Sequence, residues 1–206
     1  MSYSSFTNFD LKEKFGVTQE YRSGIFEQIA PRAASETLQR ILAEDVPFAL
    51  AQGTEKARSE FIIAPILSEL RRQTRPEISI FSGVEFNIDI KSGLIGFCDF
   101  LISRSAYQSL VEAPIVVAVE AKRQDFERGT TQCIAEMIAA RIFNERRNVE
   151  ISEIYGCVTT GDVWRFLVLR GSEALIETTT FDVRADLEQI LGILAACALG
   201  DAALQQ

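Results

Sequence analysis

The stretch APIVVAVEAKR, residues 113–123, most constrains what this chain can fold into. Its small and β-branched apolar residues are typical of a strand buried on both faces. Glu120 and Lys122 nevertheless follow before the strand pattern has ended. Because side chains alternate between the faces of a strand, Glu120 and Lys122 are predicted to point the same way at its end, while Ala121 faces the core.

A second carboxylate interrupts an apolar strand in GFCDFLIS, where Asp99 lies between Phe97 and Leu101, which are predicted to share its face. Aspartate is disfavoured in strands, and burying it unpaired is costly. Two such carboxylates on two strands suggest convergence on a hard cation, which takes oxygen ligands. Two alternatives stay open: Glu120 and Lys122 form a solvated ion pair, or Asp99 pairs with Lys122 in a buried salt bridge.

The order of elements predicts an α/β domain with a mixed central sheet flanked by helices. Helical patterns precede three strand patterns in residues 77–123. A helix with a threonine cap is predicted from GTTQCIAEMIAA, and a hairpin turn at Gly161–Asp162 places Trp164 and Phe166 in the core. A last strand and an apolar helix close the chain. With 206 residues and no repeat, the sequence suits one domain.

The composition argues against several kinds of catalytic and binding site. The chain has no histidine, and its 4 cysteines form no Cys-x-x-Cys pair, which argues against a zinc site and histidine-based catalysis. The net charge of −8 argues against tight nonspecific binding of nucleic acid but is compatible with a carboxylate cluster that holds a metal. We found no apolar run of about 18 residues and no signal peptide, so a cytoplasmic protein without a membrane span is expected.

Four motifs together resemble the PD-(D/E)XK, or restriction-endonuclease-like, nuclease superfamily. They are Glu60 in ARSEFIIAPIL, Asp99 in GFCDFLIS, Glu120-Ala121-Lys122 in VVAVEAK, and Gln132 in TTQCIAEMIAA. The resemblance implies an αβββαβ core over residues 54–170. Residues 1–53 would then form an N-terminal helical extension, and residues 171–206 a C-terminal strand and helix. The same stretches, with FSGVEFN, resemble a bacterial group frequent in cyanobacteria.

The chain departs from the family pattern at two positions. Cys98 stands before Asp99, where the family name has proline, and this position varies within the family. Glu136 stands four residues after Gln132, where branches with a Gln-x-x-x-Tyr pattern have an aromatic residue. The second departure leaves the branch and the substrate open.

The resemblance implies metal-dependent hydrolysis of phosphodiesters in nucleic acid, in DNA rather than RNA. Asp99 and Glu120 would hold Mg²⁺ or Mn²⁺, with the backbone carbonyl of Ala121 as a further ligand. Lys122 would orient or deprotonate the attacking water, the second role requiring a lowered pKa, or stabilise developing charge. Glu60 would contribute through a water or bind a second metal, or be a surface residue of its helix. Gln132 would orient a ligand or touch the substrate, or be a polar residue in the first turn of its helix. A catalytically inactive interaction or regulatory module of the same fold is the alternative.

Partner expectations rest on surface residues. Candidate contacts to a nucleic acid backbone are Arg58, Arg71, Arg72, Arg123 and Arg128. The closing helix has a wide apolar face that either caps the core or, if exposed, forms a homodimer interface. That face comprises Leu187, Ile190, Leu191, Leu194, Ala195 and Ala198.

Overall fold

The structure, a computed structural model, describes residues 2–122 and 125–200. The helices within these ranges are α1 (Asn8–Phe15), α2 (Glu36–Gln52), α3 (Glu55–Arg58), α4 (Ala64–Gln73), α5 (Phe126–Glu145) and α6 (Leu187–Leu199). The strands are β1 (Thr18–Arg22), β2 (Ser79–Glu85), β3 (Phe97–Ser103), β4 (Ile115–Ala121), β5 (Glu153–Thr159), β6 (Val163–Arg170), β7 (Glu173–Glu177) and β8 (Phe181–Asp182). A 3₁₀ turn at Tyr3–Ser5 precedes α1.

The strands form one mixed sheet in the order β1-β7-β6-β5-β4-β3-β2, with β8 paired to β6. Strands β2, β3 and β4 make an antiparallel meander, and α5 then carries the chain across the sheet so that β5 lies parallel to β4. The hairpin of β5 and β6 turns at the predicted position, and Gly161 takes a left-handed φ of 87° there. The predicted mixed α/β architecture with flanking helices is confirmed.

Two apolar cores lie on opposite faces of the sheet. One is formed with α2, α4 and α6 and contains Trp164 and Phe166, as predicted, and the other is formed with α5 and the N-terminal segment. Strand β4 is buried along its whole length, which explains its run of β-branched residues without polar alternation. The candidate carboxylates therefore lie on or beside the most enclosed strand of the molecule.

The helical region around Pro65 widens into one π-helical turn at Ser59–Ile63 between α3 and α4. Proline has no backbone N–H to donate to the carbonyl four residues earlier, and the chain adapts: the N–H of Ala64 donates to the oxygen of Ser59. The sequence predicts a kink at Pro65, and the structure has a widened helical turn just before this proline. It contains Glu60.

Two boundaries differ from the expected ones. Helix α5 begins at Phe126 and is capped by Asp125, whose Oδ1 accepts a hydrogen bond from the N–H of Arg128 at 2.9 Å, and not by a threonine. Residues 1–53, expected to be helical, also contribute β1 to the sheet, parallel to β7. Strand β1 is largely exposed and has no apolar alternation, so the sequence pattern could not indicate it.

Helix α6 covers one core. Of its predicted apolar face, Ile190, Leu191, Leu194, Ala195 and Ala198 are buried within the chain itself. A homodimer interface was predicted only if this face were exposed, so the structure does not support that interface. In the ranges described, no helix is long and apolar enough to cross a membrane.

Candidate metal and active site

Asp99 and Glu120 lie side by side at one end of the meander. Strand β3 pairs with β4 through Phe100 and Val119, and extending this register places Asp99 opposite Glu120. The Oδ2 atom of Asp99 accepts a hydrogen bond from the backbone N–H of Ala121 at 2.8 Å. The two carboxyl groups also interact with each other. The predicted convergence of carboxylates from two strands is therefore present in the geometry.

Strand β3 is irregular where Asp99 lies. Cys98 and Leu101 pack in the core beneath α5, although strict alternation would place them on opposite faces. On the neighbouring β2, Gly83 takes a left-handed φ of 62° between residues that pair regularly with β3. Asp99 therefore does not share a face with Leu101 as predicted, because the local backbone departs from a regular pleat. Its side chain lines a cleft on the side of α3.

Glu120 and Lys122 form a buried ion pair. Only 1% of Glu120 is exposed, and its Oε1 contacts the Nζ of Lys122. The backbone N–H of Lys122 continues the pairing with β5 by donating to the oxygen of Thr159 at 2.8 Å. The predicted common direction of the two side chains is confirmed. Burial excludes the reading of a solvated surface pair, and the partner in the salt bridge is Glu120.

Burial and mutual repulsion shift the carboxyl groups toward their neutral forms. Burial first, and then the negative charge of Asp99, raises the pKa of Glu120 to about 7, although Lys122 opposes the shift. Burial also raises the pKa of Asp99, against the hydrogen bond from Ala121. A cation bound between these two groups would relieve their repulsion.

Lys122 is held as a cation. Burial by itself would lower the pKa of Lys122, but the negative charges of Glu120, Glu55 and Asp99 raise it overall. The lowered pKa that a lysine base requires is therefore absent in this arrangement. In this arrangement Lys122 is suited to orienting water or stabilising negative charge.

A third carboxyl group, which the sequence did not assign to the site, lies beneath this pair. Glu136 on α5 is completely buried, and its Oε1 accepts a hydrogen bond from the Nε2 of Gln132 at 3.2 Å. Its carboxyl group interacts electrostatically with that of Glu120. Burial, and then the charge of Glu120, raises the pKa of Glu136 well above its usual value. The signal in the sequence was a glutamine and a glutamate one turn apart on an apolar helix.

Glu60 faces the same cleft as Asp99, whereas Gln132 does not. The cleft has a volume of about 410 Å³. Glu60 is about half exposed and forms an ion pair with Lys56 at 3.0 Å. Gln132 is enclosed and reaches the site only through Glu136. The residues that line the cleft are Glu55, Lys56, Ser59, Glu60, Ser82, Asp99 and Ala121.

The donor set fits a cation that needs few protein ligands. In the part of the chain that the structure describes, no group of three or more acidic or cysteine side chains is arranged to hold a metal ion. Magnesium, however, commonly uses one or two carboxylates and keeps its waters. Asp99 and Glu120 supply two, and the buried Oε2 of Glu120 has no hydrogen-bond donor among the described residues. These groups could hold Mg²⁺ or Mn²⁺ together with the carbonyl of Ala121.

Two of the predicted basic contacts have structural roles. Arg58 pairs with Asp162 at 2.9 Å and donates to the carbonyl of Thr160, while Arg72 pairs with Glu69 at 2.7 Å. Arg71 and Arg128 are at least partly exposed. Arg123 lies outside the described residues. The cleft itself is predominantly acidic.

A larger cavity, of about 600 Å³, lies between α2 and the start of α6, where it is lined by residues such as Leu42 and Leu187. It contains none of the carboxylates described above. The candidate site is therefore defined by the chemistry of its side chains and not by cavity size.

Comparison with known proteins adds no family assignment. No protein-family model and no curated protein matches this chain.

Proposed function

We propose that the chain catalyses metal-dependent hydrolysis of phosphodiester bonds in nucleic acid, DNA rather than RNA. The observation that carries this proposal is the enclosed group of Asp99, Glu120 and Lys122 at the end of two paired strands, beside an open cleft. An isolated Glu-x-Lys sequence is weak support. A second carboxylate in contact with it from a neighbouring strand is much more specific.

The arrangement of elements supports the restriction-endonuclease-like αβββαβ core that the sequence resembles. From residue 55 to residue 159 the order is a helical segment, three strands, α5 and β5, with an antiparallel meander followed by a parallel strand. The positions of three candidate residues on these elements are compatible with that resemblance. Asp99 is on β3, Glu120 is the last residue but one of β4, and Gln132 is on α5.

The chemistry follows from the charges. Bound Mg²⁺ or Mn²⁺ supplies an acidified water and neutralises charge on the scissile phosphate. Asp99 and Glu120 would hold that cation, with the backbone carbonyl of Ala121. Lys122, as a cation at the strand end, orients the attacking water and stabilises the negative charge that develops on the phosphate.

Two further residues have supporting roles in this proposal. Glu60 lines the same cleft as Asp99, where it would bind a second cation or a water next to it. Gln132 acts through Glu136, to which it donates a hydrogen bond, and not by touching the substrate.

A catalytically inactive interaction module remains the second candidate. The observation in its favour is the acidic cleft in a chain of net charge −8, where two of the predicted phosphate contacts, Arg58 and Arg72, are engaged in intramolecular ion pairs. Such a surface repels a nucleic acid backbone unless cations are bound.

Calorimetric titration with Mn²⁺ tests the proposal. The wild type should bind Mn²⁺, and Asp99→Asn and Glu120→Gln should each abolish or strongly weaken binding. Cleavage of single- and double-stranded DNA and of RNA should then depend on Mg²⁺ or Mn²⁺ and be lost in Asp99→Asn. No binding at millimolar Mn²⁺, even with a DNA oligomer present, would reject the enzyme and favour the interaction module.

A further inference from the structure

We propose that the ring of Phe97 stacks on an unpaired base next to the scissile phosphate, so that the candidate site takes single-stranded nucleic acid. The inference rests on the proposed function and narrows its substrate to one form. The observation that carries it is an exposed aromatic ring on the strand of Asp99, directed to the side on which the cleft lies.

The exposure of Phe97 sets it apart from its neighbours on β3. The residue is 66% exposed, whereas Cys98 and Phe100 are buried. Burying a phenylalanine ring is among the larger apolar contributions to folding, and this ring contributes little of it. Its cross-strand partner on β2 is Glu85, which is exposed as well. The ring of Phe97 is therefore accessible to a partner outside the chain.

The direction of the side chain follows from its neighbour. Cys98 packs in the core beneath α5, so alternation directs Phe97 and Asp99 to the opposite face, where Asp99 lines the cleft. Two residues along a strand span roughly 7 Å. Phe97 lies beyond the residues that line the cleft, so it is placed to reach the nucleotide next to the one held at Asp99. A single exposed aromatic residue is ordinary on a protein surface, but this one shares the strand and the face of a candidate metal ligand.

The charges of the molecule favour stacking over contacts to the backbone of a nucleic acid. The cleft is lined by Glu55, Glu60 and Asp99, and the net charge of the chain is −8. Arg58 and Arg72 are engaged in intramolecular ion pairs. Binding of a duplex depends largely on cationic side chains that contact its phosphates. Stacking of a base on an aromatic ring needs no such charge.

Stacking also selects the form of the substrate. Within a duplex the faces of each base are covered by the bases above and below it, so an aromatic side chain reaches a base face only where the strand is unpaired. Every base has such a face, and stacking therefore tolerates many sequences. The expected substrate is single-stranded DNA without strong sequence preference.

Substitutions of Phe97 separate stacking from a general apolar contact. Phe97→Tyr keeps an aromatic ring, whereas Phe97→Leu keeps an apolar side chain without one. Fluorescence anisotropy with Mn²⁺ present measures binding of a labelled single-stranded DNA oligomer and of the same oligomer annealed to its complement. Every protein in this series also carries Lys122→Met, which keeps both carboxylates and slows cleavage during the measurement.

The parent protein should bind the single strand about 10-fold or more tightly than the duplex. Phe97→Leu should weaken binding of the single strand by about 5- to 150-fold, the range that loss of one stacked base implies. Phe97→Tyr should stay within about threefold of the parent. Phe9→Leu is the matched control, because Phe9 is 72% exposed on α1, which contacts α5 on the other face of the sheet. It should leave the affinity unchanged.

A second variant reports the contact directly. Trp164 is the one tryptophan of the chain and is buried, so Phe97→Trp adds an exposed indole with its own fluorescence. We expect the single strand to quench this added fluorescence and the duplex to leave it unchanged. Exposed positions affect stability little, so the melting temperatures of all variants at Phe97 should remain close to that of the parent.

Several results would overturn the inference. They are unchanged affinity in Phe97→Leu, equal losses in Phe97→Leu and Phe97→Tyr, tighter binding of the duplex, or no binding of the single strand.

The proposed function is judged separately, by Mn²⁺ calorimetry and by cleavage. A protein that binds no Mn²⁺ but holds the single strand through Phe97 would retain the stacking position and lose the hydrolase. A protein that cleaves DNA in the presence of Mn²⁺, with Phe97→Leu as active and as tightly bound as the parent, would retain the hydrolase and lose the stacking position.

Discussion

The side chain of Lys122 lies against the backbone of α5 at Gly129, where a Cβ atom would come within 2.8 Å of Lys122 Cγ. The same Cβ would approach Cγ1 of Val158 to 2.7 Å. A glycine in the first turn of α5 therefore leaves the space through which the lysine reaches Glu120. Helix packing, and not only the strand, sets the position of the candidate catalytic cation.

Gly129→Ala is expected to displace Lys122. Alanine favours a helix interior over glycine by about 1 kcal/mol, so without the steric clash the variant would be more stable than the wild type. We expect it to be no more stable, and the Mn²⁺-dependent cleavage rate to fall by about 10-fold or more, since small misplacements of catalytic groups are costly. Urea unfolding and single-turnover kinetics measure the two effects.

Glu145→Ala is the control for this change, because Glu145 is exposed near the other end of α5. It should leave the cleavage rate unchanged. A Gly129→Ala protein that is both more stable and fully active would show that Lys122 does not need this space.

Lys122→Met should separate binding from chemistry. The substitution removes the cation from Glu120 but leaves both carboxylates, so Mn²⁺ should still bind. The cleavage rate should fall by about 10²- to 10⁴-fold, the usual contribution of a group that orients water or stabilises charge in the transition state. Lys91→Met, at an exposed position, is the matched control. A fall of less than twofold would remove Lys122 from the mechanism.

Glu60→Gln tests whether the carboxylate of Glu60 contributes to metal-dependent cleavage. Glu60 is half exposed and pairs with Lys56 in a surface ion pair, so stability should change by less than about 0.5 kcal/mol. We expect cleavage at limiting Mn²⁺ to slow by about 10-fold and to recover partly at high Mn²⁺. Lys56→Ala breaks the same ion pair and should not reproduce this metal dependence. Identical behaviour of the two variants would assign Glu60 to the surface only.

Glu69 should give the protein a pH-dependent stability far from the site. Burial alone would raise the pKa of Glu69, but hydrogen bonds from Arg72, Gln73 and Ser35 hold it below its ordinary value. A lowered pKa in the folded state stabilises the protein above the unfolded-state pKa, and this contribution disappears as pH falls through the folded-state pKa.

Glu69→Gln should therefore destabilise the protein by about 1–2 kcal/mol at pH 7, a value reduced for solvent screening of the half-exposed Arg72. The difference from the wild type should shrink as pH falls below about 4, where the unfolded chain begins to protonate. Urea unfolding at a series of pH values measures it, with the exposed Glu44→Gln as control. A difference that is constant with pH would contradict the assignment.

Leu194→Ala tests the role of α6. Leu194 is completely buried within the chain, so truncation should cost about 2–5 kcal/mol. If α6 serves the core of its own chain, the lowering of the melting temperature should be the same at protein concentrations differing tenfold. A loss that depends on concentration would indicate a dimer interface at this helix, since subunit association couples stability to concentration.

The sequence predicted those features that depend on apolar periodicity and alternation. The buried strand β4, the hairpin at Gly161 and the core positions of Trp164 and Phe166 all follow from such patterns. The shared direction of Glu120 and Lys122 also follows, because they are two residues apart on one strand. Local regularity was sufficient in each case.

The remaining features depend on contacts between distant parts of the chain. Asp99 leaves the regular pleat beside the left-handed Gly83, which alternation cannot anticipate. Glu136 was visible as a polar residue on α5, but only the packing of α5 on β4 brings it to Glu120. The raised pKa of Lys122 likewise depends on acids from other elements.

The parallel pairing of β1 with β7 has a consequence for synthesis. Thr18 lies beside Glu173 in the finished sheet, and Arg22 beside Glu177. During translation β1 therefore has no partner strand until β7 has been synthesised, after β2 to β6. Since α6 emerges later still, the core that it covers stays open to water until then. The meander with Asp99 and Glu120 is thus translated long before the sheet and its two cores can be completed. We expect chaperones to bind the partly folded chain in that interval.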